Sequence, residues 1–138
     1  MRAAKTATLL AVAFTTGLAS GFATAHASAP PTAMMDVTLT NTDNGRTVTV
    51  RTGDGMAVRL TGSRSPGATW AWSVPTAGDS TTLNRTTAFT TSDGSATASF
   101  RVERPGTTGI EAYQRCLPDP GHVCAHVVIL WKVTVTVK

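Results

Sequence analysis

The sequence predicts an all-β domain, and three observations carry the prediction. From Asp36 onward, apolar and polar residues alternate with the period of two that is typical of half-buried strands. Turn-forming Gly, Pro, Asn and Asp residues interrupt this alternation about every eight to twelve residues, as they do in β-sandwiches. No window after residue 29 has a helical period. We therefore predict an antiparallel immunoglobulin-like β-sandwich of about seven to eight strands, with a small β-barrel as the alternative.

The first 29 residues have the features of a secretory signal peptide. Arg2 and Lys5 form a positive start, a stretch rich in Ala, Leu and Thr follows, and Ala27-Ser28-Ala29 fits the small-x-small cleavage pattern. A retained membrane anchor is the alternative, but the strongly apolar residues 9–14 are far fewer than the ~20 that cross a bilayer. We expect cleavage after residue 29, a flexible lead-in over residues 30–35, and a secreted extracellular domain over residues 36–138.

The first predicted strands lie on either side of an Asn-Gly pair. Residues 37–41 alternate, Asn44-Gly45 is typical of a type I′ turn, and residues 47–51 alternate again. We therefore predict a β-hairpin here. A second turn, Gly53-Asp54-Gly55, precedes a third strand over residues 56–61.

The remaining strands follow the same period. Residues 69–74 place Trp70 and Trp72 on one face, and one of these two indoles is expected in the core. Threonine-rich residues 81–91 predict an edge strand, residues 96–102 alternate most regularly, and residues 108–115 follow. The last strand covers residues 125–137. Its core face is predicted to carry Val127, Ile129, Trp131, Val133, Val135 and Val137.

Charge and functional groups argue against several classes of protein. The formal net charge is +4, and because Arg2 and Lys5 lie in the leader, the exported domain carries +2 with its basic residues scattered singly. Nucleic acid is therefore not expected as a partner. The carboxylates also occur singly, and no serine lies in a nucleophile elbow, so we expect no catalytic residue and no enzyme. We expect a monomer without a cofactor, and no membrane association after cleavage.

The two cysteines of the sequence, Cys116 and Cys124, enclose a short loop before the last strand. Because an exported protein resides in an oxidising compartment, we predict a disulfide between them, which contributes roughly 2–3 kcal/mol in the chain-entropy model. A metal site is the alternative, since His122, Cys124 and His126 would share one face of an extended chain. Pairing removes the Cys124 thiolate, so no metal is predicted. The loop either displays a surface to a partner or only stabilises the end of a hairpin.

In an immunoglobulin-like sandwich, the B–C and F–G loops emerge at one end. Taking residues 56–61 as strand B and residues 69–74 as strand C makes residues 63–69 the B–C loop. The loop between the cysteines then becomes F–G, and the turn at residues 92–95 joins strands D and E. Three loops at one end would form a recognition surface.

Four short motifs carry a family resemblance over residues 43–138. The first is the opening Asp43-Asn44-Gly45-Arg46-Thr47-Val48, and the second is Trp70-Ala71-Trp72, an aromatic-x-Trp that follows a loop containing Pro66. The third, Asp93-Gly94-Ser95-Ala96, answers a Gly-x-Gly-Gly motif. The fourth, Tyr113-Gln114-Arg115, begins a Tyr-x-Arg-Pro-Trp motif whose Pro-Trp is replaced here by the disulfide loop. In these features the sequence resembles the chagasin-like cysteine protease inhibitors.

The resemblance implies a secreted inhibitor that occludes the active-site cleft of papain-like cysteine peptidases with three loops. The implied contact residues are Ser65, Pro66, Gly67, Ala68, Thr69, Asp93, Gly94, Ser95, Ala96, Arg115, Leu117 and Pro118. The implied partner is an extracellular papain-like cysteine peptidase. The alternative is a secreted immunoglobulin-like recognition or structural module with no inhibitory activity.

Overall fold

A computed structural model describes residue 21 and residues 34–138, and the latter form ten strands and one 3-10 turn, Asn41–Asp43. The strands are β1 Asp36–Thr40, β2 Thr47–Val50, β3 Gly55–Leu60, β4 Ser63–Ser65, β5 Ala68–Trp72, β6 Thr76–Ala77, β7 Leu83–Thr90, β8 Ala96–Val102, β9 Gly106–Pro118 and β10 Val128–Val137. Apart from residue 21, the predicted signal peptide lies outside the described residues, as do its cleavage site and residues 30–33 of the predicted lead-in. No helix in the described part of the chain is long and apolar enough to cross a bilayer.

The strands form two sheets around one core. The four-stranded sheet has the order β1-β3-β8-β7, and the six-stranded sheet has the order β2-β10-β9-β5-β4, with β6 also paired to β9. In immunoglobulin lettering, β3, β5, β7, β8, β9 and β10 are strands B to G. The predicted immunoglobulin-like all-β sandwich is confirmed.

The sheets are mixed, not purely antiparallel, because the predicted first hairpin does not form. Asn44 has φ −54° and ψ 130° and Gly45 has φ 82°, which is a type II turn and not the type I′ turn of a tight hairpin. The chain therefore passes from one sheet to the other. As a result, β1 pairs in parallel with β3, and β2 pairs in parallel with β10. Two short strands, β4 and β6, account for the larger strand number.

Two tryptophans anchor the core. Trp131 is 1% exposed, and its indole N–H donates to the Thr40 carbonyl at 3.1 Å. Trp72 is also buried, and its indole N–H donates to the Thr61 carbonyl at 3.0 Å. Each ring thus fills the core while its one polar atom is satisfied. Trp70 is only half-buried, so Trp72 is the core tryptophan of strand C.

Two strand predictions are confirmed in detail. The strand β7 lies at the edge of the four-stranded sheet and carries an irregularity between Arg85 and Thr87. The strand β8 buries Ala96, Ala98, Phe100 and Val102 and leaves the residues between them more exposed. The strict alternation of residues 96–102 therefore correctly predicted a strand with one face on the core and the other toward water.

The last strand is shorter and less covered than predicted. It begins at Val128 and not at residue 125, and Val127 and Ile129 are 51% and 43% exposed. The strands β9 and β10 contain 13 and 10 residues, whereas β3 and β8 in the facing sheet contain 6 and 7. The β9–β10 hairpin thus extends past the end of the sandwich, where no opposing sheet covers it.

Candidate functional site

Strand register places the three loops at one end of the sandwich. Leu60 pairs with Ala96, so the end of strand B lies beside the start of strand E. Ala68 pairs with Pro118, so the start of strand C lies beside the end of strand F. The B–C hairpin (residues 61–69), the D–E turn (residues 91–95) and the cysteine loop (residues 116–124) therefore meet. We call these three segments the tip.

The B–C hairpin is regular and not an open loop. Its strands β4 and β5 pair with Ser65 opposite Ala68, which leaves Pro66 and Gly67 as the two turn residues. Proline fixes its own φ, and Gly67 has φ 76°, the combination found in type II turns. Ala68 is buried. Of the other predicted contact residues in this hairpin, Pro66 is exposed, and Ser65, Gly67 and Thr69 are half-buried.

The D–E turn is closed by its own carboxylate. The Asp93 carboxylate accepts hydrogen bonds from the Thr91 hydroxyl and, at 3.0 Å, from the Ser95 N–H. The bond from Thr91, followed by those from Ser95, lowers the pKa of Asp93. Asp93 and Ser95 are accessible, whereas Gly94 and Ala96 are buried. Of the four residues in this predicted contact segment, two are therefore accessible to a partner and two are not.

Glycines allow the D–E turn to lie directly on the B–C hairpin. The Gly62 N–H donates to the Ser95 hydroxyl at 3.0 Å, and the Trp72 N–H donates to the Gly94 carbonyl at 2.8 Å. A Cβ on Gly62 would lie only 2.4 Å from the Gly94 carbonyl carbon. A Cβ on Gly94, which has φ 85°, would lie 2.7 Å from the Trp70 carbonyl oxygen. No side chain fits between these two backbones.

The predicted disulfide is confirmed. Cys116 lies in β9 and Cys124 precedes β10, with their Cα atoms 5.8 Å apart. The Cys124 sulfur is bonded, so it is not a thiolate ligand for a metal. Residues 34–138 contain no group of three His, Cys, Asp or Glu side chains arranged to hold a metal ion.

The cysteine loop is fastened to the B–C hairpin through residues that the sequence did not single out. The Arg64 guanidinium donates two parallel hydrogen bonds to the Asp119 carboxylate, at 2.9 and 2.8 Å. The Asp119 N–H donates to the Gly67 carbonyl at 2.9 Å. Arg64 and Asp119 are 55 residues apart in the chain, and no local pattern relates them.

The third predicted contact segment lies on the hairpin that leaves the sandwich. Arg115, Leu117 and Pro118 are exposed, and Leu117 is 53% accessible. Beside Arg115 and Leu117 lie further exposed apolar side chains that the sequence reading did not select: Tyr113, Val128 and Leu130. The sequence does contain an indication of this apolar surface, because residues 127–131 form an unbroken apolar run that alternation does not explain.

The sequence matches no family model and no curated protein. The structure is similar to that of the cysteine protease inhibitor EhICP2 from Entamoeba histolytica, with a TM-score of 0.54 and 15% identity over 79% of this chain and all of that one. It is also similar to the solution structure of amebosin, with a TM-score of 0.46 and 18% identity over 75% of this chain and 99% of that one. For PbICP-C, solved in complex with falcipain-2, the TM-score is 0.47 and the identity is 12%, over 76% of this chain and 91% of that one.

The likeness to EhICP2 is a likeness of fold. It spans that chain from end to end at an identity too low to transfer individual residues. The predicted resemblance to chagasin-like inhibitors is therefore confirmed at the level of the sandwich.

Proposed function

We propose that this protein is an inhibitor of papain-like cysteine peptidases that acts by inserting its tip into the active-site cleft. The observation that carries the proposal is the meeting of three loops at one end of a chagasin-like sandwich. A single protruding surface built from three loops is the shape that fills a cleft. EhICP2, whose fold is similar, is described as a cysteine protease inhibitor.

The inhibition proposed is steric and involves no covalent chemistry. The turn residues Pro66 and Gly67 would enter the cleft, with the D–E turn on one side and the end of β9 on the other. Fixed turns and a closed disulfide ring restrict the tip before binding, so less conformational entropy is lost on association. Within this proposal the protein acts outside the cytoplasm after its leader is removed, where a disulfide persists.

A titration against papain tests the proposal. Papain is activated with a thiol that is then removed, and hydrolysis of a fluorogenic peptide is measured while the oxidised purified domain, residues 30–138, is added up to micromolar concentration. We expect inhibition that is reversible and competitive with substrate. Absence of inhibition across this range would exclude papain-like peptidases of this type as targets.

A loop-replacement pair localises the effect. Residues 65–69 are replaced by Gly and Ser, and in the matched control residues 103–105, which connect β8 to β9 at the opposite end, are replaced in the same way. We expect only the first change to abolish inhibition while both proteins keep the circular dichroism of the parent. If inhibition survives the first change, the B–C hairpin is not the segment that enters the cleft.

A further inference from the structure

Three hydrogen-bonding contacts meet at Asp119 in the cysteine loop. Its N–H donates to the Gly67 carbonyl at 2.9 Å, its carboxylate accepts two bonds from Arg64, and its carbonyl accepts from the His122 N–H at 2.9 Å. We propose that Asp119 is a positioning residue for the B–C hairpin, held in place by the Cys116–Cys124 disulfide, so that thiol reduction releases the hairpin and weakens binding at the tip.

Arg64 extends the contact to both strands of the hairpin. It lies in β4 opposite Thr69 of β5, and its guanidinium also donates to the Thr69 hydroxyl at 2.6 Å. One planar fork therefore joins β4, β5 and the cysteine loop. Because Arg64 is exposed, such a pair adds little to the overall stability of the fold. Its effect is on the position of the hairpin turn.

His122 packs against the same turn. A Cβ placed on Gly67 would lie 2.5 Å from His122 Nδ1 and 2.9 Å from its Cγ, so the imidazole occupies the space beside the glycine. Gly67 is thus held by the Asp119 N–H and covered by the His122 ring. Both of these residues lie inside the disulfide ring.

The disulfide determines whether that ring keeps its shape. Residues 119–127 have no regular strand pairing, and β9 and β10 fix only the two ends at Pro118 and Val128. Without the bond between the sulfurs, the intervening residues regain conformational freedom. The groups that hold Gly67 and Arg64 would then no longer be fixed.

The disulfide borders a cleft through which a small thiol would approach it. A cleft of about 330 Å³ is lined by both cysteines together with His122, Val123 and neighbouring residues. A dithiol thiolate attacks one sulfur and displaces the other, and the second thiol of the reagent then closes on the mixed disulfide. Two electrons and two protons pass to Cys116 and Cys124, and the reagent leaves as a cyclic disulfide.

Amide hydrogen exchange on the domain alone tests the positioning role. It is measured with and without dithiothreitol, and in the Cys116→Ser/Cys124→Ser double variant. We expect the amides of Asp119 and His122 to exchange at least about tenfold faster when the ring is open. The amide of the core residue Ala112 exchanges through global unfolding, so it should accelerate only by the factor that the measured loss in the free energy of unfolding predicts. Equal exchange in the open and closed rings would refute the proposal.

The expected effect on binding rests on the proposed inhibitory function and is measured separately. The probe is papain with its nucleophilic cysteine replaced by serine, so that reductant does not alter the peptidase. We expect opening of the ring to raise the Kd about tenfold. Asp119→Ala should also raise the Kd of the oxidised protein. Because Asp119 acts together with Arg64, the effect of Asp119→Ala should not add to that of Arg64→Ala.

A similar ion pair elsewhere on the same sheet supplies the control. Lys132 Nζ lies 3.3 Å from Glu111 Oε1, and the two side chains are about as exposed as those of Arg64 and Asp119. Because this pair connects no loops, Glu111→Gln should leave the Kd unchanged. If the oxidised protein does not bind papain, the proposed function fails for that peptidase, and hydrogen exchange alone decides the positioning role. If binding occurs and is insensitive to both reduction and Asp119→Ala, the positioning role is wrong.

Discussion

The two halves of the β9–β10 hairpin have similar sequences and opposite environments. On one face of β10, Trp131 and Val133 are at most 1% exposed, whereas Ile129 is 43% exposed. Val127, which continues the same alternation just before the strand, is 51% exposed. The first pair lies opposite the four-stranded sheet, and the second pair lies beyond its end. Identical periodicity therefore produces a core in one half and an accessible surface in the other.

The two halves are stabilised in different ways. In the inner half, burial of apolar surface supplies the folding free energy. In the outer half that term is small, and a disulfide, an ion pair and a glycine contact hold the chain instead. A segment that is stabilised without burying its side chains keeps those side chains available to a partner.

The largest expected effect comes from truncating a tryptophan of the inner half, compared with one that lies beside the outer half. Trp131→Ala should reduce the free energy of unfolding by about 3–5 kcal/mol, because it removes a fully buried ring and leaves a cavity. Trp70→Ala, opposite Cys116 in the outer half, should cost clearly less because that ring is only half-buried. Urea unfolding measures both. Equal losses would mean that the outer half is packed as tightly as the inner half.

Two glycine substitutions test whether the cysteine loop packs on the B–C hairpin. Gly67→Ala and Gly45→Ala both force alanine to a φ near 80°, which costs about 1–2 kcal/mol. Only at Gly67 does the added Cβ also meet His122. We therefore expect Gly67→Ala to cost more and to shift the His122 imidazole resonances in NMR spectra. If the two variants lose the same stability and His122 is undisturbed, the cysteine loop is not packed on the hairpin.

A smaller effect concerns the open edge of the inner half. The turn at residues 43–45 covers it, since the Gly45 N–H donates to the Lys132 carbonyl at 2.7 Å. The turn is held by Asp43, whose carboxylate accepts the Thr40 N–H at 2.7 Å and pairs with Arg46. The bond from Thr40 is the main cause of a pKa lowered from its usual value, and the Arg46 charge adds to it.

Asp43→Asn should therefore lower the free energy of unfolding by about 1 kcal/mol at pH 7. Because the folded carboxyl has the lower pKa, its contribution is complete above the unfolded value near 4 and is lost as the pH falls through the folded value. The difference between variant and parent should thus shrink in acid. Urea unfolding at pH 7 and pH 3 checks this. A difference that is the same at both pH values would contradict the role of the ionised carboxylate.

The smallest effect is expected on the uncovered face. Ile129→Ser should change the free energy of unfolding by about 0.5 kcal/mol or less, because the side chain is already accessible in the folded state. Val133→Ser, four residues further along β10 on the same face, is the matched control and should be strongly destabilising. Comparable losses in the two variants would show that the outer half is covered in solution.

Much of the fold could be predicted from local patterns. The alternation of Ala96 to Val102 identified β8, and the weak pattern of residues 81–91 identified the edge strand. Two nearby cysteines behind a predicted signal peptide identified the disulfide. Each prediction depends on neighbours in sequence. The Asn44-Gly45 turn was misread because that pair is compatible with two turn types, and the docking of the flanking strands into different sheets selects between them.

The site was less predictable. Three of its segments could be proposed from the family resemblance, but the burial of Ala68, Gly94 and Ala96 depends on how the loops lie on one another. The contact of Arg64 with Asp119 and the close approach of Gly62 to Gly94 join residues that are 55 and 32 positions apart. No periodicity or motif encodes such pairs.

The sequence by itself determined the all-β class, the strand rhythm, the disulfide and the positions of the turns, because each follows from the chemistry of adjacent residues. Tertiary structure alone decided which half of the last hairpin is covered and which loops touch. The reason is physical: burial depends on where the opposing sheet ends, and loop contacts depend on the register that brings distant strands to the same edge.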